Sequence, residues 1–265
     1  MPDSTYRASL RALVSGTKSY KNERRARGPK PRWRRWFWII SGAVVGLFLI
    51  YHATILYSVF RFRAVNPEVT ALMEQRASEA KAAGKPVRQE QTWVPYNKIS
   101  SSLIRAVLAG EDSRFFDHEG FDWEEIQKAL EKDWEEKRFH RGASTISQQL
   151  AKNLFLSTSK NPLRKLHEAL ITWEMEKILS KRRILELYLN VIEWGDGVYG
   201  VEAASRTYFE STAASLGPDQ AAFLAAIIPN PREAYNPDKH KARVERRKSL
   251  IARLMRHVVI PKDLI

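Results

Sequence analysis

Glu111-Asp112-Ser113-Arg114-Phe115-Phe116-Asp117-His118-Glu119-Gly120 is the stretch of this 265-residue chain most crowded with groups able to move protons. Carboxylates and histidine are common general acids and bases, and a solvated turn would rarely carry Phe115 and Phe116 among them. Taken alone, His118 reads as a hydrogen-bonded structural histidine. A second stretch, Arg141-Gly142-Ala143-Ser144-Thr145, opens a helix that Ser144 or Thr145 can cap. Ile146, Leu150 and Leu154 form its apolar stripe, with Gln148 and Lys152 sharing the opposite face. A third begins at Asn161 and Pro162, which read as the cap and first position of another helix. Its Leu163, Leu166, Leu170 and Trp173 are expected to face inward, leaving Arg164 and Glu168 together outside that stripe. In isolation this is an ordinary i, i+4 ion pair worth about 0.3–0.5 kcal/mol.

These residues need elements to position them. From Ile99 onward apolar residues recur at helical spacing, as in Ile184, Leu187, Tyr188 and Val191, so the domain is expected to be mainly α-helical. Residues 64–98 have a helical middle closed by Gly84 and Pro86, followed by QTWVPYNKIS as an extended connector. Ahead of them, Trp36 to Phe60 is a run of 25 residues without a formal charge. That exceeds the roughly 20 needed to cross about 30 Å of hydrocarbon. Trp36, Trp38 and Tyr57 lie toward its ends, as interfacial aromatics do. A cleaved signal peptide would have a shorter apolar core and a small-residue exit, unlike Tyr57-Ser58-Val59-Phe60. Residues 1–35 hold eleven lysines and arginines against Asp3 and Glu23, so +9 of the net +14 lies in this tail. Only Arg61 and Arg63 follow the apolar run closely, which orients the tail to the cytoplasm and the rest outside. The tail's charge thus reads as an orientation signal and an attraction to anionic lipid, not as a nucleic-acid site.

Several chemistries fall away. Zero cysteines exclude a disulfide framework, a thiolate metal site and a cysteine nucleophile. Gly195, Gly197 and Gly200 fit G-x-G-x-x-G but follow the helical run ILELYLNVIEW, not a strand, so no dinucleotide site is expected. Ser15 to Lys18 and Ser157 to Lys160 match S-x-x-K, yet the chain has no K-T-G, so no penicillin-binding transpeptidase domain is expected.

In order and spacing, the combined motifs resemble the peptidoglycan glycosyltransferases of glycosyltransferase family 51, and closely the monofunctional biosynthetic peptidoglycan transglycosylases. The likeness covers about residues 95 to 240 and the single N-terminal anchor. The first block is Glu111, Asp112, Phe115, His118 and Gly120; the second is Gly142, Ser144, Thr145, Ile146, Gln148 and Gln149, followed by Lys152 and Asn153. Arg164, Lys165 and Glu168 form the third, and Ile184, Leu185, Glu186, Tyr188, Leu189 and Asn190 the fourth. Gly200, Ala203, Ala204, Tyr208 and Phe209 complete the set. Two positions depart from the family pattern. Many relatives carry an acidic residue where Arg183 stands, and many follow Tyr-Phe with Gly-Lys where this chain has Glu210-Ser211.

The resemblance implies a mainly α, lysozyme-like glycosyltransferase domain (residues 99–240) with a smaller membrane-facing lobe. Around it lie a cytoplasmic tail (1–35), a transmembrane helix (36–60), a membrane-proximal linker (61–98) and a basic C-terminal helix (241–265). It implies transfer of a lipid-pyrophosphate-linked glycan to the GlcNAc 4-hydroxyl of lipid II, with inversion to a β-1,4 bond and release of undecaprenyl pyrophosphate. Glu111 is then the base, and Lys152, Arg164 and Lys165 meet the departing pyrophosphate. Glu168 orients these cations or a bridging divalent metal, Mg2+ or Mn2+, and no organic cofactor is expected. The other residues of the first four blocks that line the substrate are Asp112, Phe115, His118, Gly142, Ser144, Thr145, Gln148, Gln149, Asn153, Glu186, Tyr188 and Asn190. Partners are the lipid substrates, the membrane and other cell-wall synthesis or division proteins. The setting is the inner membrane, with the catalytic domain periplasmic. A lytic transglycosylase or muramidase also uses paired carboxylates in a helical frame, but has no pyrophosphate to stabilise and no need of the three cations.

Overall fold

The computed structural model describes residues 32–136, 144–156 and 161–261. Most of the basic tail, Gly142, both S-x-x-K matches and the last four residues lie outside this set. The chain divides into two compact units, residues 1–49 and 50–265. Helix α1 (Arg32–Arg61) covers the apolar run and crosses that division. In the first unit its Trp36, Ile40, Val44, Leu47 and Leu49 are exposed, as expected of a helix whose whole circumference is apolar.

The second unit is mainly α, as the sequence implies. After the last turns of α1 come α2 (Ala71–Ala82), strand β1 (Glu90–Gln91), a 3₁₀ turn at Tyr96–Lys98, α3 (Ser101–Glu111) and α4 (Trp123–Glu136). Then follow α5 (Ile146–Phe155), α6 (Pro162–Ile178), α7 (Lys181–Val191), β2 (Glu193–Gly195), β3 (Val198–Tyr199), α8 (Val201–Phe209), α9 (Pro218–Ile227) and α10 (Lys241–Leu254). The small sheet has the order β1-β3-β2, with β1 parallel to β3 (Glu90 beside Val198) and β2 antiparallel to it. The three glycines of the discounted motif thus belong to a hairpin and the start of α8. At Gly200 (φ +77°) a Cβ would sit 2.6 Å from the Asn190 carbonyl oxygen, so only glycine lets the hairpin close onto α7.

Two packed groups make the core. Helix α9 is rich in alanine, and Ala221, Ala222, Leu224, Ala225, Ala226 and Ile227 are all buried, so α3 and α10 can both lie close against it. Helix α5 packs on α6 and α7 through Ile146, Leu150, Ile171, Met175 and Ile184. The helix starts follow their sequence signals. Thr145 and Gln148 form a reciprocal capping box on α5 (3.2 and 3.0 Å). Asn161 accepts the Leu163 amide ahead of Pro162, and Ser180 accepts the Arg183 amide.

One sequence expectation is overturned. Leu163, Leu166, Leu170 and Trp173 on α6 do not face inward: they are 74, 71, 37 and 52% exposed. The inward face of α6 carries Glu168, Ile171, Thr172 and Met175 instead. Periodicity finds the apolar stripe correctly, but it cannot tell whether that stripe meets protein or another apolar medium.

Glu210 closes α8 in the left-handed region at φ 51°, the one non-glycine residue with positive φ among those described. Its Cβ meets the following carbonyl there at a cost of about 1–2 kcal/mol, and the family's usual glycine would avoid it. Glu210→Gly is therefore expected to stabilise the folded chain by about 0.5–1 kcal/mol after the extra chain entropy of glycine is counted, read as a higher midpoint of chemical or thermal unfolding.

Candidate active site

Helix α3 ends at Glu111, whose side chain is only 8% exposed. Oε2 accepts the Gln149 amide from α5 (2.9 Å) and Oε1 accepts Nη2 of Arg247 from α10 (2.8 Å). The same Arg247 nitrogen donates to the Gly110 carbonyl at 2.9 Å. Gly110 lies against α10: a Cβ there would sit 3.0 Å from the tip of the Ile251 side chain and in ordinary contact with Arg247 at 3.7 Å. Gln149 is itself held by Tyr188 of α7, whose hydroxyl donates to Oε1 at 3.0 Å. Three helices thus converge on one carboxylate. Burial pushes Glu111 above the usual carboxylate range, while Arg247 and Gln149 act in the opposite direction. Burial likewise raises the Tyr188 phenol well above its ordinary value, with Glu111 and Asp112 adding to the effect, so the hydroxyl stays a donor.

Asp112 points elsewhere. Its carboxylate accepts the Ile146 amide at the first turn of α5 (3.0 Å) and bonds His118 Nε2 (3.0 and 3.2 Å). Thr145 donates its hydroxyl to the Gly120 carbonyl (2.7 Å), so the first and second blocks are tied together at both ends. His118 lies edge-on to Phe115, which is fully buried. Both therefore hold the framework beside Glu111. Ser144 and Thr145 line a pocket of about 160 Å³ together with Glu111 and Asp112.

A second group gathers on α5 and α6. The Glu168 side chain is 3% exposed; one oxygen accepts Arg164 at 2.8 Å and the other Lys165. This is not the exposed ion pair that i, i+4 spacing alone would suggest, since the acid is buried and shared between two cations. Burial lowers the Lys152 ammonium below the usual lysine range; Glu168 and Glu111 pull it back up, and Arg164 and Lys165 push it further down. Lys152 thus feels the charge of both carboxylates. It lines a pocket of about 230 Å³ with Gln149, Asn153, Arg76, Glu193 and Asn230. Gln148 lies under the α5 cap. Glu186 and Asn190 face the connector: Glu186 accepts the Tyr96 amide (3.1 Å), and Asn190 bonds both backbone groups of Val94. Both oxygens of Glu168 are thus taken by cations, and no cluster of three or more His, Asp or Glu side chains suited to a metal occurs among the described residues.

Arg247 and the Arg76–Glu193 pair (2.9 Å) are absent from the sequence reading. A signal for Arg247 exists: Val244 and Ile251 of α10 are buried, and residue 247 falls on the same face, three positions after one and four before the other. An arginine on a buried stripe requires a buried acid.

Residues 78–256 match the family model described as Transglycosylase. A biosynthetic peptidoglycan transglycosylase of Dechloromonas aromatica is 47% identical over 227 residues, covering 86% of this chain and 98% of the relative. A protein of the same name from Chromobacterium violaceum is 48% identical over 222 residues (84% and 97% covered). Another, from Aromatoleum aromaticum, is 53% identical over 189 residues (71% and 82%).

The Arg247 contact sets a pH dependence. If ionised Glu111 is the active form, the rate rises with pH through its pKa, and removing the arginine removes an influence that lowers that pKa. Arg247→Ala should therefore move the acid limb of the pH–rate profile upward, whatever happens to the maximal rate. An acid limb that stays in place would dissociate Arg247 from the Glu111 proton.

Proposed function

The chain belongs to the transglycosylase family, and from that premise we propose that it polymerises glycan strands from lipid II at the inner membrane. It is a peptidoglycan transglycosylase, a glycosyltransferase of cell-wall synthesis. The reading beyond this concerns substrate, mechanism and placement, and one observation carries it. The buried carboxylate of Glu111 is held by Gln149, and Gln149 lines a pocket with Lys152, a lysine that feels the charges of Glu168, Arg164 and Lys165.

The acceptor is lipid II, and its GlcNAc 4-hydroxyl attacks the anomeric carbon of the lipid-linked donor. Glu111 takes the hydroxyl proton as the C–O bond forms, and its raised pKa brings it closer to the operating pH, where a general base is most effective. The bond to pyrophosphate breaks on the opposite face, so the product is β-1,4-linked and undecaprenyl pyrophosphate departs. Lys152, Arg164 and Lys165 meet the negative charge that develops on the leaving group, and each preorganised donor of this kind is worth about 3 kcal/mol. Glu168 keeps Arg164 and Lys165 in place. A divalent metal, Mg2+ or Mn2+, held at Glu168 would share its oxygens with Arg164 and Lys165 and would add positive charge toward the pyrophosphate.

Helix α1 serves as an uncleaved single-pass anchor with its N-terminus cytoplasmic and the catalytic unit periplasmic. Supporting this, Ile55 and Val59 are buried in the second unit and His52 bonds Glu174 (2.8 Å), so the last turns of the apolar helix are part of the folded domain. A signal peptide would leave that surface bare. The exposed α6 stripe Leu163, Leu166, Leu170 and Trp173 then enters the bilayer interface. It forms part of the smaller membrane-facing lobe.

With labelled lipid II and the full-length protein, Glu111→Gln is expected to slow polymer formation by at least about 100-fold, since an amide keeps the shape and loses the basicity. Lys152→Ala and Arg164→Ala should each slow it at least about tenfold, or 1.4 kcal/mol. Wild-type rates in both cation variants would refute the leaving-group site, and shortened glycan as product would replace polymerisation with cleavage.

A further inference from the structure

Where α1 ends, the chain must turn from the anchor into the catalytic unit. The Phe62 amide still bonds the Ser58 carbonyl (3.0 Å) and the Val65 amide the Arg61 carbonyl (2.9 Å), so the helix winds on for one further turn before Asn66-Pro67. The last carbonyls of any helix lack intrahelical donors. Here one distant side chain supplies them. Arg183, in the first turn of α7, donates Nε to the Phe62 carbonyl (2.7 Å) and Nη2 to the Val65 carbonyl (3.0 Å) and Asn66 Oδ1 (2.7 Å). Its Nη1 pairs with Glu186, and the guanidinium lies over the Trp93 ring, 5.4 Å from the centroid. A carboxylate at this position would repel the same carbonyls. The departure of Arg183 from the acidic residue common in the family therefore has a local use.

The contact does not end at the turn. Glu186 accepts the Tyr96 amide with its other oxygen, and two residues along α7 Tyr188 holds Gln149, which holds Glu111. One helix thus carries the fastening to the anchor exit at its start and a support of the Glu111 carboxylate one and a half turns later. We propose that Arg183 is a positioning residue that clamps the exit turn of the anchor to α7 and thereby fixes how far the active site stands from the bilayer surface. This rests on the reading of the chain as an anchored polymerase of a membrane lipid. The clamp governs access to substrate confined to a bilayer plane and leaves the chemical step alone. Lysine cannot replace it, because an ammonium is a single point charge without the planar fork that reaches three acceptors.

The test uses the full-length protein as wild type, Arg183→Ala, Arg183→Lys and Asn66→Ala, reconstituted in lipid vesicles and, separately, in detergent micelles. In vesicles Arg183→Ala is expected to raise KM for lipid II by at least about threefold with kcat within about twofold, since orientation acts as an effective concentration. Arg183→Lys should behave similarly and Asn66→Ala should shift KM in the same direction by less. In micelles, which impose no plane, all four proteins should match within about twofold. Independently of activity, hydrogen exchange at the Phe62–Val65 amides should quicken by about tenfold or more in Arg183→Ala. Unchanged exchange at those amides would overturn the clamp, and so would an equal loss of activity in micelles and vesicles, which would mark a role confined to Glu186 and α7. If Arg183→Ala does not fold, Arg183→Gln, which keeps one donor group, replaces it in both measurements. A wild-type protein that makes no polymer in either medium would refute the proposed function instead, and the exchange measurement would still decide the clamp.

Discussion

A carboxylate removed from water is the constraint on which the site depends. Burial raises the Glu111 pKa by more than its neighbours' attraction lowers it. Arg247 and the Gln149 amide favour its charged form, and each of these needs a helix in a particular place. Arg247 reaches Glu111 because α10 lies against α3, and both rest on the alanine-rich α9. Gln149 is aimed by Tyr188, whose phenol burial keeps protonated. The packing of α3, α5, α7, α9 and α10 can therefore be read as the means of holding one proton acceptor poised.

The second constraint is the placement of cations close to that acceptor without neutralising it. Lys152 is buried enough to be pushed below its ordinary pKa, yet it feels both Glu168 and Glu111. Glu168 absorbs Arg164 and Lys165 on the inner face of α6. Glu168, Ile171, Thr172 and Met175 take the inner face, and the leucines and Trp173 of the same helix lie on the outer one. This arrangement is unfavourable in water and natural beside a bilayer. The outward apolar stripe of α6 and the insertion of Ile55 and Val59 into the second unit are the two observations that support the proposed lipid-facing side of the catalytic unit.

Much of this was legible in the residues. Helix starts marked by Thr145, Asn161-Pro162 and Ser180, and the buried stripe of α7, follow from capping chemistry and periodicity, which act locally. The apolar stripe of α6 was equally legible, but its direction was not, since direction depends on the medium that meets it. Arg247 lies on a buried stripe where its charge was a readable anomaly, but its partner, 136 positions away along the chain, depends on the tertiary packing of α10. Arg183 and Glu210 stood out only against a family pattern. Their physical meaning, three donated hydrogen bonds in one case and a left-handed backbone in the other, required coordinates.

The central claim is that buried, partly compensated Glu111 is the group whose ionisation switches on glycosyl transfer. Its most direct measurement is a carboxyl-carbon NMR titration of the full-length protein, with Glu111 assigned by its loss in Glu111→Gln, set beside the acid limb of the polymerisation rate. Glu111 should titrate above the ordinary glutamate value of 4.5, and its midpoint should coincide with that limb. A Glu111 carboxyl that titrates at or below 4.5, or a limb that falls at a different pH from its midpoint, would contradict the role assigned to it.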